Sequence, residues 1–108
     1  MTTLFLKSQI FLAQSYQKIG DSTICESRTS LYTAVDAQCN GWSGISLTEC
    51  EDKCTKNEVP NNCQQQGIQC KYAQFDTVHN WCHLADDTCK PVSGDWQVTL
   101  TMKQGLFF

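Results

Sequence analysis

The chain has no cluster of positive charge. Its eight lysines and arginines are scattered among eleven aspartates and glutamates, leaving a net charge of -3 over 108 residues. Binding nucleic acid takes a concentrated basic surface against phosphate, so that function class is excluded. No apolar run reaches the roughly 20 residues of a membrane-spanning helix. There is no Cys-x-x-Cys pair, no glycine-rich phosphate loop, no Gly-x-Ser-x-Gly elbow and no Asn-x-Ser/Thr acceptor, which removes the common sequence signatures of zinc ribbons, nucleotide binding, serine hydrolysis and N-glycosylation. No internal repeat occurs, and the only low-complexity tract is the glutamine triplet at 64–66.

Cysteine, by contrast, is abundant. Eight cysteines against two methionines indicate a disulfide scaffold made in an oxidising compartment, either secreted and extracellular or in another lumen. An even count leaves no obligatory free thiol, and the length fits one domain with a modest core.

The most fully specified segment is Gly44 to Cys54. Ser46 is a good N-cap and Glu49 stands three residues later, the pattern of a capping box, with Ile45 placed to staple over Cys50. Acidic residues fall early and Lys53 and Lys56 late, which suits the helix dipole and suggests a Glu49–Lys53 pair. Asn57 fits a left-handed helix end, and Pro60 prevents continuation. Leu47, Cys50 and Cys54 share one helical face, so both sulfurs are expected to be buried.

Around this helix the sequence reads as short extended pieces. Tyr16–Asp21 and Thr23–Cys25 read as a first strand with a turn at Gly20-Asp21, Leu31–Val35 as another, and Asn40 to Gly44 as a loop. Residues 57–67 read as an irregular excursion held by Cys63. Cys70–Val78 and Trp81–Leu84 form a hairpin turning at His79-Asn80, with a bulge expected so that Ala73 and Phe75 can face the core. Trp96, Val98, Leu100 and Met102 alternate with polar residues, predicting a half-buried strand with one wet face. Residues 1–15 carry Phe5, Leu6, Ile10, Phe11 and Leu12. The small residues Ala13 and Ser15 would suit a leader remnant, but Lys7 breaks the apolar run and no basic n-region precedes it, so a docking arm is the preferred reading. Residues 104–108 form an apolar tail ending in Phe107 and Phe108.

The helix Ser46-Leu-Thr-Glu-Cys-Glu-Asp-Lys-Cys, then Cys70 with Ala73 and Phe75, then Trp81-Cys-His-Leu, resembles the PAN/apple domain, and residues 16–103 cover its extent. The resemblance implies a small disulfide-rich α+β fold, a curved antiparallel sheet packed around one short helix, acting as a binding unit for proteins or carbohydrates without catalysis. It also implies the bridges Cys50–Cys82, Cys54–Cys70 and Cys25–Cys89, and leaves Cys39 and Cys63, outside the family's basic pattern, to each other. The residues alone would admit roughly a hundred connectivities.

Other chemistry is weaker. Cys82-His83 with His79 could suggest zinc and the Asp86-Asp87 and Glu51-Asp52 pairs acid/base work or calcium, but bridged thiols, a polar turn and a helix N-terminus account for them, and no metal, cofactor or enzyme activity is expected. Trp42, His79, Asn80 and Trp81 are the candidate contacts for a ligand or partner, together with Phe5, Phe11, Phe107 and Phe108 at the ends. The expected function is a structural or accessory subunit docked in a larger assembly through protein contacts; the alternative is a secreted adhesion module for a carbohydrate or protein receptor.

Overall fold

The computed structural model describes residues 14–26, 31–36 and 38–105. They form β1 (Tyr16–Asp21), β2 (Thr23–Cys25), β3 (Tyr32–Ala34), β4 (Trp42–Ser43), α1 (Leu47–Lys56), β5 (Cys63–Gln65), β6 (Tyr72–Asp76), β7 (Trp81–Ala85), β8 (Pro91–Ser93) and β9 (Val98–Lys103). The main sheet has strand order β1-β9-β6-β7-β4 with antiparallel pairing throughout, and β2–β8 and β3–β5 form two small antiparallel pairs. This is a small disulfide-rich α+β domain.

Local chemistry sets the helix. The Ser46 hydroxyl accepts the Glu49 N–H at 3.1 Å and the Glu49 carboxylate accepts the Ser46 N–H at 2.9 Å, closing the capping box. That bond occupies the Glu49 carboxylate, so Lys53 pairs instead with Glu58 at 3.4 Å, in place of the Glu49–Lys53 pair suggested by spacing. Asn57 ends the helix at φ 56°. Its side chain then binds outward, accepting the Cys70 N–H at 2.8 Å and donating to the Ile68 carbonyl at 3.0 Å, which draws the segment before β6 against the helix end.

Four disulfides are present: Cys50–Cys82, Cys54–Cys70 and Cys25–Cys89, which the resemblance implies, and Cys39–Cys63, the pair left over. The first two join the buried face of α1 to β7 and to the residue leading into β6. Cys50, Cys54 and Cys82 are fully buried, in one core cluster with Leu31, Cys70, Ala73, Phe75 and Leu84. A second cluster on the opposite side of the sheet gathers Leu100, Ala85 and the Cys25–Cys89 bridge, with Tyr72 packed against it.

Register decides which side chains reach which cluster. Ala73 and Phe75 face the helix; Thr101 and Thr99 stand opposite them on β9 and share that face, while Leu100 faces the β2–β8 pair. The β9 strand is therefore covered on both sides. Thr99 and Thr101 are 8% and 4% exposed, which replaces the wet face expected from alternation. Trp96 lies before β9, folded over Gly94 and 41% exposed, so it is not among the inward residues. No bulge occurs in β6, whose register against β7 and β9 is uninterrupted, because Cys70 lies outside the strand and need not obey its alternation. The shift falls in β1 instead, between Lys18 and Gly20. The loop before the helix contains the short strand β4, and the 57–67 excursion contains β5.

The Tyr16 hydroxyl donates to the Glu51 carbonyl at 2.8 Å and lies 2.9 Å from Thr55 Oγ1, fastening β1 to the helix. Burial pushes its pKa up to about 12 from 10.0. A raised pKa gives stability that is complete below pH 10 and lost as pH climbs toward 12.

Two predictions follow from these contacts. Cys50→Ser and Cys82→Ser should lower stability to about the same extent, roughly 3 to 4 kcal/mol for a loop of this size, as read by urea unfolding; unequal losses, or peptide mapping that joins Cys50 to another cysteine, would contradict the pairing. Tyr16→Phe should cost about 1 kcal/mol at neutral pH and abolish the Tyr16 share of the stability loss between pH 10 and 12, measured by alkaline unfolding beside a phenolate absorbance titration.

Candidate functional site

The β2–β8 pair covers only part of the sheet face opposite the helix. The remainder, at the β6–β7 hairpin end, holds a depression of about 190 Å³ lined by Gln74, Asp76, Trp81, His83 and Val98. Gln74 and Asp76 come from one face of β6, Trp81 and His83 from the same face of β7, and Val98 starts β9 opposite Asp76. All five side chains are half-buried.

Each wall is held by a specific bond. Asp76 organises the turn: Oδ1 accepts the backbone N–H groups of Val78 at 2.9 Å and His79 at 3.0 Å, and Oδ2 lies 3.0 Å from His79 Nδ1. The His79 N–H above all, with its ring and the Val78 N–H, holds the Asp76 carboxyl below the usual carboxylate range. Asn80 supplies the left-handed position at φ 52°, and its carbonyl accepts the Gly44 N–H at 2.9 Å, tying the hairpin tip to the loop before the helix. Trp81 donates its indole N–H to the Asn40 carbonyl at 2.7 Å, which fixes the rotation of the ring, and its centroid lies 4.8 Å from that of His83 with the planes tilted by 60°. The side-chain oxygen of Gln74 accepts the Cys25 N–H at 2.9 Å.

The four candidate contacts in the domain do not form one patch. Trp42 stands opposite Cys82 in β4 and so lies on the helix face, packed against the first core cluster with Lys53 Nζ 5.6 Å from its ring centroid. Trp81, one residue away in register, points to the opposite face. His79 and Asn80 are exposed at the hairpin tip, and only Trp81 of the four lines the depression. Phe5, Phe11, Phe107 and Phe108 lie outside the described residues. Gln74, His83 and Val98 are not among the contacts expected from sequence, where His83 enters only as a zinc ligand and Val98 only as a strand residue. The signal for the first two was the i, i+2 spacing with Asp76 and Trp81 in adjacent strands.

Every cysteine is bridged, so none is available as a thiolate nucleophile or ligand. Among the described residues no group of three His, Cys, Asp or Glu stands close enough to hold a metal ion. Asp86 is buried in a turn, its Oδ1 accepting the Thr88 N–H at 3.0 Å. The depression presents two rings and a carboxylate, with Gln74 and Val98 beside them.

Gly41 is the backbone support of this site. It sits at φ 80°, where an added Cβ would collide with the Cys82 carbonyl and lie 3.2 Å from Trp81 Nε1. Gly41→Ala should therefore lower stability by about 2 kcal/mol and shift the Trp81 indole N–H resonance, readable in a single proton–nitrogen spectrum; an unchanged resonance would show that the Asn40–Gly41 backbone does not seat the ring. Comparison of the chain with family models, with curated proteins and with solved structures finds no match.

Proposed function

We propose that the protein is a non-catalytic interaction module of the PAN/apple type, acting in an oxidising compartment as a small structural or accessory subunit docked in a larger assembly through protein contacts. The observation that carries this reading is where the two ends of the domain meet. Tyr16 pairs with Lys103, the Gln104 N–H donates to the Ser15 carbonyl at 2.9 Å, and the Gln14 side chain also bonds the Gln104 carbonyl. The first and last described residues of the domain, to which the apolar segments 1–12 and 106–108 connect, therefore lie side by side at one end of the β1–β9 pair. Two short apolar stretches too small to form a core alone can in this way serve one partner together. The disulfides suit the same role, since they hold the domain's shape without a large core.

The PAN/apple assignment is supported by the helix on one sheet face and by its bridges to β7 and to the segment entering β6. Within an assembly the domain serves as a rigid spacer whose ends make the attachment.

Trimming tests this directly. The full chain, isolated from its native source under non-denaturing conditions, should run with partner chains as one large species. A form lacking residues 1–12 and 106–108 should keep its four disulfides and run at the mass of a single chain. Association that survives the trimming would refute docking through the ends.

A further inference from the structure

We propose that the depression between Trp81, His83, Asp76 and Val98 is a binding site for a quaternary ammonium group, such as the head of choline. The site is separate from the chain-end edge, and the inference does not rest on the docking role.

The walls specify the ligand by what they have already committed. Both carboxylate oxygens of Asp76 are engaged by the hairpin turn, the Gln74 oxygen is taken by the Cys25 N–H, and the Trp81 N–H is taken by the Asn40 carbonyl. A sugar or a primary ammonium entering here would bring hydroxyl or N–H groups that must share acceptors, the Asp76 and Gln74 oxygens, already carrying hydrogen bonds. A quaternary ammonium carries a positive charge and no N–H at all. It needs only ring faces, apolar contact and a nearby negative charge, and these are what Trp81, His83, Val98 and Asp76 provide. The two rings tilted by 60° at 4.8 Å form a corner that a small cationic head can enter. About 190 Å³ accommodates such a head, and is well below the roughly 300 Å³ at which pockets for drug-sized ligands begin.

The other face of the same strand pair carries an internal version of the arrangement. There Trp42 has the Lys53 ammonium 5.6 Å from its centroid, with the Glu58 carboxylate 3.4 Å from that ammonium. Trp81 has its acidic neighbour in the same depression, but among the described residues no lysine or arginine lies over its ring.

The full chain at pH 7.5 is titrated with tetramethylammonium chloride at constant ionic strength, following the Trp81 indole N–H by nuclear magnetic resonance. Saturable shifts at Trp81 with a Kd on the order of millimolar are expected, with n-butylammonium weaker by about tenfold or more and methyl glucoside producing no saturable shift. Asp76→Asn keeps the oxygen that caps the turn while removing the charge, and should weaken tetramethylammonium binding by about tenfold with the rest of the spectrum retained. Phosphocholine and phosphatidylcholine vesicles separate the sources: binding to both points to a lipid head group, binding to phosphocholine alone to a soluble ligand. Absence of saturation by about 100 mM tetramethylammonium, equal binding of n-butylammonium, saturable binding of the glucoside at Trp81, or an unchanged affinity in Asp76→Asn overturns the proposal.

Discussion

Two sulfurs on one face of a ten-residue helix constrain most of this molecule. Cys50 and Cys54 are one turn apart, and each is bonded to a different part of the β6–β7 hairpin unit, so α1 can neither roll nor slide on the sheet. An isolated helix of this length would be marginal in water. Here the capping box sets its start, Asn57 its end and the two bridges its position. The small residues beneath it, Ala73 on β6 and Thr99 and Thr101 on β9, allow the close approach that the short disulfide linkages require.

With the helix fixed, strand register determines the surface. Alternation is strict along β6 and β7, so each neighbouring residue serves the opposite face. Cys82 enters the core while Trp81 and His83 face away from it. The β2–β8 pair then covers the half of that outer face nearest Leu100 and leaves the hairpin end open. The open area is thus bounded by where the Cys25–Cys89 bridge holds its cover.

The features legible in the sequence were those written in consecutive residues. Ser46 and Glu49 announce the cap, Leu47, Cys50 and Cys54 the buried face, and the runs on either side of His79-Asn80 the hairpin. The pairings β2–β8, β3–β5 and β4–β7 each involve at least one strand of two or three residues whose partner lies 20 or more positions away, and so short a strand has no periodicity to detect. Misreadings had the same origin. The alternation read from Trp96 to Met102 identifies one inward face only from Val98 onward, and it cannot reveal that a helix covers the other. Trp42 looked like a free loop ring because its partner, Cys82, is 40 positions away in the chain. The depression was partly visible as Asp76 and Trp81, yet its walls form only when β6, β7 and β9 stand side by side.

The meeting of the two domain ends also has a mechanical side. Tyr16 begins β1 and Lys103 ends β9, and the two are paired. Tension applied through both ends would open this ladder one hydrogen bond at a time, as a zipper opens, where strands loaded in shear would resist together. The peeling would stop at Cys25 and Cys89, within whose loop the other three disulfides lie. Under load the domain would therefore lengthen only by the segments before Cys25 and after Cys89, a short extensible leader on either side of a body that covalent bonds keep from unravelling.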